Sequence, residues 1–195
     1  MASMQIDYLI IGAGTAGCVL ANRLSANPDV SVALIEAGPP DTTPLAHVPS
    51  LVGTLMFHPR YGWGYKSVPQ PQLGGRKILL PRGRILGGCS STNGMVYFRG
   101  HPRDFDEWAE LGNAGWSFAE VLPYFLRSEN NDDYRDSPWH GTTGEMHISH
   151  VRQYNPMIHP FLAATSALGY GRCADFNGVR DPVGFDVRQN AIHNG

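Results

Sequence analysis

Six residues near the start, Gly12-Ala13-Gly14-Thr15-Ala16-Gly17, have the spacing that lets a backbone close on a diphosphate. In such a turn the first glycine allows the tight bend, the second lets the pyrophosphate approach, and the third lets helix and strand pack closely. The helix that follows then offers unpaired N–H groups to the phosphates. Glu36, with Ala37 beside it, lies about 20 residues further on, where a carboxylate takes the hydroxyls of an unphosphorylated ribose. A second glycine-rich stretch, PRGRILGGCSSTNGMVYFRG, runs from Pro81 to Gly100. Gly87 and Gly88 remove side chains where backbone must come close, and Ser90, Ser91, Thr92 and Asn93 supply short hydrogen-bonding groups. Backbone N–H groups from Asn93 through Gly94 and Met95 to Val96 would favour negative charge developing on a bound group.

These residues need a frame. Tyr8 to Ile11 is a short apolar run of the kind a buried parallel strand shows, and Val32 to Ile35 is a second. Between them Ala16, Val19, Leu20 and Leu24 recur at helical spacing until Asn27-Pro28 ends the pattern. The result is a βαβ start with an acid at its second strand end. From Gly38 to Lys77 prolines, glycines and aromatics replace periodicity, which predicts an irregular covering segment. Arg103 to Leu111 is predicted helical. Ser117 to Glu120 has capping-box form and opens a short helix through Tyr124 and Phe125, which Pro123 shortens or bends. Glu129 to Asp136 is taken as a polar break, GEMHISH as a strand and Gly184 to Ile192 as a last strand. Between those strands Met157 to Leu168 is an amphipathic helix with Ile158, Phe161, Leu162, Thr165 and Leu168 on one side and Gly169 past its end. The change of pattern near residue 140 divides the chain into 1–140 and 141–195.

Across the 195 residues, 15 basic and 17 acidic side chains leave a net charge of -2, so no basic footprint for nucleic acid is present. No apolar run has the length of a membrane span, and MASMQIDYLII lacks the charge pattern of a secretory leader. A cytoplasmic protein is expected. Cys18, Cys89 and Cys173 are too scattered for a disulfide framework or a zinc site, and His147 and His150 on one strand point to opposite faces. No metal site is expected.

The motifs together resemble the glucose-methanol-choline flavoprotein oxidoreductases. The similar pieces are IIGAGTAGCVLANRLS, the Glu36-Ala37-Gly38 triplet, the WGY at Trp63, the whole RGRILGGCSSTNGMVYFRG stretch, LPYFLRSE and the DFNG at Asp175 to Gly178, the last two as in a bacterial choline-dehydrogenase-like branch. The fold this implies is α/β: a Rossmann-like FAD-binding domain with a βαβ start and parallel sheet over 1–140, then the beginning of an α+β substrate domain over 141–195. FAD is implied as cofactor, with Gly12, Gly14, Thr15, Ala16, Gly17, Glu36 and Ala37 toward its adenosine and pyrophosphate. Arg84, Gly87, Gly88, Ser90, Asn93, Gly94, Met95 and Val96 are implied along the ribityl chain and ring.

The resemblance implies oxidation of an alcohol CH–OH group by hydride transfer to flavin N5. Thr92 stands at the position matched to a histidine that some members link covalently to flavin, so non-covalent FAD is expected. The family's catalytic histidine pair belongs to a segment further downstream; no catalytic residue is assigned, and His101 and His193 are read as ordinary histidines. The chain is therefore expected to be an N-terminal portion, which self-associates or joins a separate chain carrying the remainder. Two other readings stand beside this one, a non-catalytic FAD-binding fragment and a hydroxynitrile lyase on the same scaffold.

Overall fold

The computed structural model describes residues 5–178 and 182–193. Residues 1–4, part of the stretch read for a leader, and 194–195, the end of the expected second domain, lie outside it. Backbone proximity divides the chain into two compact units, Met1–Gly94 and Met95–Gly195. The sequence pattern places its boundary after residue 140 instead; the two divisions rest on different criteria, compactness and change of element type.

In the first unit β1 (Tyr8–Ile11), α1 (Thr15–Leu24) and β2 (Val32–Ile35) form the predicted βαβ, with β1 and β2 parallel and Tyr8 opposite Val32. The buried residue of α1 is Gly17, flanked by half-buried Ala21 and Leu24. Val19 and Leu20, expected on the covered face, are exposed. The strands differ from expectation in the same way, Leu9 being 52% and Ile11 82% exposed. Only two strands pair in this sheet among the described residues, so one face of the helix and little of the strands is covered.

The irregular segment contains short elements. They are α2 (Pro44–His47), a 3-10 turn at Pro49–Leu51, α3 (Val52–Met56), β3 (Tyr65–Lys66), a second 3-10 turn at Pro71–Leu73, and β4 (Leu79–Leu80). β3 and β4 pair antiparallel. The second glycine-rich stretch leaves β4, and α4 (Cys89–Thr92) forms within it. Leu55, Ile85 and Ala13 are the fully buried apolar residues here, so the small core lies where the covering segment meets both glycine-rich stretches.

The second unit starts with two capped helices. His101 Nδ1 accepts from the Arg103 N–H at the head of α5 (Pro102–Glu110), while Asp104 reaches back to the His101 N–H at 3.0 Å. α6 (Phe118–Ser128) opens on the predicted Ser117–Glu120 box and runs through Pro123 for 11 residues, past the expected Tyr124 and Phe125. Phe105 of α5 packs on Phe118 and Phe125 of α6, on either side of the proline, and this packing carries the helix past the missing N–H.

Two further expectations need correction. Glu129 to Asn131, taken as a polar break, is strand β5 (Glu129–Asn131), the parallel neighbour of β6 (Met146–His150). Its side chains are polar yet buried, so no apolar alternation marks it. The last strand is only β7 (Gln189–Asn190), antiparallel to β6 in the order β5-β6-β7. Between β6 and β7 lies α7 (Ile158–Ala167), which buries Leu162 and Thr165 but leaves Phe161 and Leu168 exposed. Among the described residues no helix is long and apolar enough to cross a membrane.

Candidate functional site

The first glycine-rich turn is fixed by close backbone contact. Gly12 N–H donates to Ile35 O at 2.7 Å, tying the end of β1 to β2. A Cβ on Gly17 would run into the Gly12 carbonyl, so α1 reaches the turn only because that residue has no side chain. Gly14 caps α1 without a side-chain bond, no acid occupies the first turn, and a Cβ at Gly14 would meet open space. The N–H groups of Thr15, Ala16 and Gly17 are thus those a helix start leaves without intrahelical acceptors.

Glu36 leaves β2 and turns back on this loop. One carboxylate oxygen accepts from Ala13 N–H at 2.8 Å and the other from Gly38 N–H at 2.9 Å. Each oxygen keeps lone pairs for a further donor, so the same group that braces the turn can bind hydroxyls.

The second stretch is bound to the first. Gly87 N–H donates to Ala13 O at 2.7 Å, and a Cβ on Gly88 would stand 2.9 Å from Gly14 Cα. A cleft of about 970 Å³ follows, lined by Gly12, Gly14, Thr15, Ala16, Gly17, Glu36 and Ala37 from the first side and by Gly83, Gly88 and Cys89 from the second. The volume suits a large cofactor.

The other predicted site residues have different surroundings. Arg84 is not among the cleft-lining residues; its guanidinium stands 5.6 Å from the Trp63 ring and its Nε is buried without a partner. Ser90 Oγ donates to Gly87 O at 2.6 Å and Ser91 Oγ to Leu86 O at 2.8 Å, so both hydroxyls brace the loop. Thr92 is buried, while Asn93 and Gly94 are exposed. Met95 and Val96 belong to the second unit, where Met95 is the non-glycine residue with left-handed backbone, at φ 58°.

Sequence reasoning missed Trp63, Tyr65 and Arg82, which also line the cleft. The two rings stack nearly parallel, 5.9 Å apart, and Trp63 N–H donates to Arg82 O, which sets this hairpin beside the second stretch. The aromatic density of the covering segment was the available signal.

The second unit holds a buried charge network that the sequence did not reveal. Arg99 pairs with Glu129, His140 Nδ1 lies 2.9 Å from Glu129 Oε1, and His140 Nε2 lies 2.9 Å from Asp175 Oδ2. Glu129 and Asn131 are 0% exposed. Burial alone would lower the His140 value, but hydrogen bonds to Asp175 and Glu129 push it up to about 9. Burial works to raise Glu129 and Asp175 too, and hydrogen bonds, led in each case by His140, hold both below the usual carboxylate range. His140 is therefore an imidazolium donating from both nitrogens. His101 caps a helix and His193 stacks on His147 at 3.8 Å. Among the described residues no group of three or more His, Cys, Asp or Glu side chains is arranged to hold a metal ion.

Comparison with known proteins adds to this geometry. A GMC oxidoreductase family model matches residues 6–192. The chain is 44% identical over 192 residues to an oxygen-dependent choline dehydrogenase of Brucella anthropi, covering 98% of this chain and 35% of that protein. Among solved structures it resembles pyridoxine 4-oxidase from Mesorbium loti, with TM-score 0.89, 34% identity and coverage of 97% of this chain and 37% of the other. An FAD-dependent oxidoreductase from Chaetomium thermophilum matches with TM-score 0.78 and 30% identity over 97% of this chain and 34% of its own. The chain thus spans about a third of the length of the relatives it matches.

Proposed function

The chain belongs to the GMC oxidoreductase family, and from that premise we propose that it is the FAD-binding portion of a flavoenzyme oxidising the CH–OH group of an alcohol. The observation that carries this reading is the single cleft shared by the two glycine-rich stretches. The residues present fit FAD: open space at Gly14, unpaired N–H groups at the start of α1, spare lone pairs on Glu36 and a stacked aromatic pair all face one volume.

In this reading the α1 N-terminus holds the pyrophosphate and Glu36 the adenosine ribose. Gly87 and Gly88 keep side chains out of the path along the second stretch. Asn93, Gly94, Met95 and Val96 supply backbone donors, and Arg84 and Ser90 brace the segment that carries them. When bound, the flavin would supply a hydride acceptor at N5 for the alcohol carbon. Thr92 is buried and has no imidazole, which supports non-covalent attachment.

The functional division into 1–140 for cofactor and 141–195 for the start of a substrate domain, an alcohol substrate of the choline-like kind and a cytoplasmic setting belong to the same proposal. So does self-association. A non-catalytic FAD-binding module is the second reading, favoured by the lack of any histidine among the described residues that line the cleft. The test is titration with FAD followed by an alcohol panel with an artificial acceptor. Flavin absorbance bands that elute with the protein and leave it on denaturation support non-covalent binding. Binding without turnover supports the second reading, and absence of binding refutes both. Cyanide release from a cyanohydrin without flavin bleaching would point to a lyase.

A further inference from the structure

The last part of the second glycine-rich stretch carries a residue with left-handed backbone, Met95. Its φ of 58° is a conformation that strains a non-glycine residue and persists only where the surroundings over-determine it. Bonds on both sides of Val96 tie this segment down: Ala191 N–H donates to Met95 O at 2.8 Å, and Tyr97 N–H donates to Gln189 O at 3.0 Å. Val96 bridges Asn190 between them. Because this antiparallel ladder uses the Met95 carbonyl and the Tyr97 N–H, the N–H and C=O of Val96 turn to the opposite side of the strand.

Both strands of the ladder are anchored in the buried charge network. Gln189 Oε1 accepts from Asn131 Nδ2 at 3.2 Å, and its Nε2 donates to Asn131 Oδ1 at 3.2 Å. Asn131 Nδ2 also donates to Glu129 Oε1 at 2.8 Å. On the other strand Arg99, which pairs with Glu129, donates from Nε to Tyr97 Oη at 3.0 Å. Asn177 Oδ1 accepts from Arg99 N–H at 2.9 Å. Glu129 is joined to both sides of the bridge, through Arg99 to Tyr97 and through Asn131 to Gln189.

We propose that Glu129 is a positioning residue: the network centred on it clamps the two strands, holds Met95 in its left-handed state and so fixes the direction of the Val96 N–H. On the function proposed above, that N–H is one of the donors offered to the flavin.

The first test needs no cofactor. In the full chain carrying Glu129→Gln, amide exchange at Tyr97 and Ala191 should quicken at least tenfold, while Val121 in α6 keeps its rate. Asp186→Asn, which weakens the half-buried Arg172–Asp186 pair in the same unit, should change neither. Unchanged rates at Tyr97 and Ala191, or equal acceleration at Val121, overturn the proposal. Should Glu129→Gln fail to fold, Gln189→Met removes one anchor at its edge and is held to the same two outcomes. A double-mutant cycle with Met95→Gly, which relieves the strain, should show coupling with either variant; additive effects overturn the proposal.

The second test uses FAD-loaded protein. Loss of the aligned donor should favour oxidised over reduced flavin by about tenfold, a midpoint potential about 30 mV more negative. A variant that loses strand protection with its potential unchanged disproves the link to flavin while leaving the clamp. Wild-type protein that binds no FAD refutes the proposed function, and the exchange result then decides the clamp alone.

Discussion

Gly17 has no room for a single added carbon, because its neighbour is the backbone carbonyl of Gly12 rather than a side chain that can rotate away. Gly17→Ala should therefore push α1 off the turn, costing about 1–3 kcal/mol in a urea melt and weakening FAD binding at least tenfold by titration. Gly53→Ala, with open space at the same test position, should match wild type in both. His140 gives a second residue-scale prediction with a sign. Its folded value of about 9 lies above the ordinary 6.5, so its contribution is complete below pH 6.5 and is lost as pH rises through 9. Glu129 and Asp175 are held below 4.5 and 3.8, so theirs is complete above those values and is lost in acid. The urea midpoint of the second unit should fall between pH 6.5 and 9, and His140→Gln should flatten that slope. An equal slope in wild type and variant would show that another group is responsible.

At the scale of elements, the caps are the most legible feature. The S-x-x-E pattern is met by Ser117 N–H donating to Glu120 Oε2 at 3.1 Å, and Ser117→Ala should cost the second unit about 1 kcal/mol, read as a lower urea midpoint. The strands of the βαβ follow the sequence residue for residue, since four-residue apolar runs set between Asp7 and Gly12 and between Ser31 and Glu36 leave little alternative. β5 was not legible. Glu129 and Asn131 have the composition of a loop, and partners that no local pattern marks, Arg99 30 residues before Glu129, His140 11 residues after it and Gln189 58 residues after Asn131, make their burial affordable. The cleft was half legible for a related reason. Glycine spacing marks the phosphate turn locally, whereas Trp63, Tyr65 and Arg82 enter through a hairpin register that no local pattern encodes. Ser90 and Ser91 show the converse, groups of the right chemistry whose hydroxyl protons go to their own loop.

For the molecule as a whole, the uncovered sheet of the first unit matters most. Leu9 and Ile11 on β1, Ile35 on β2, and Val19 and Leu20 on α1 are all exposed, with Ile11, Leu20 and Ile35 also lining the cleft, and exposed apolar area of this kind draws partners or other copies. The 195-residue chain should bind a hydrophobic dye in its folded state and elute earlier from size exclusion as its concentration rises. Replacing Leu9 and Ile11 with lysine should reduce both signals without altering the capped helices of the second unit. A dye-silent chain that elutes identically at every concentration would mean that this surface is covered.

Cys89 lies exposed on the lip of the cleft, Cys18 is half-buried and Cys173 is buried. The three thiols thus form a graded set of alkylation targets, with the fastest beside the proposed cofactor. Slowed labelling of that one sulfur would footprint an occupant, including a colourless one that no spectrum would reveal.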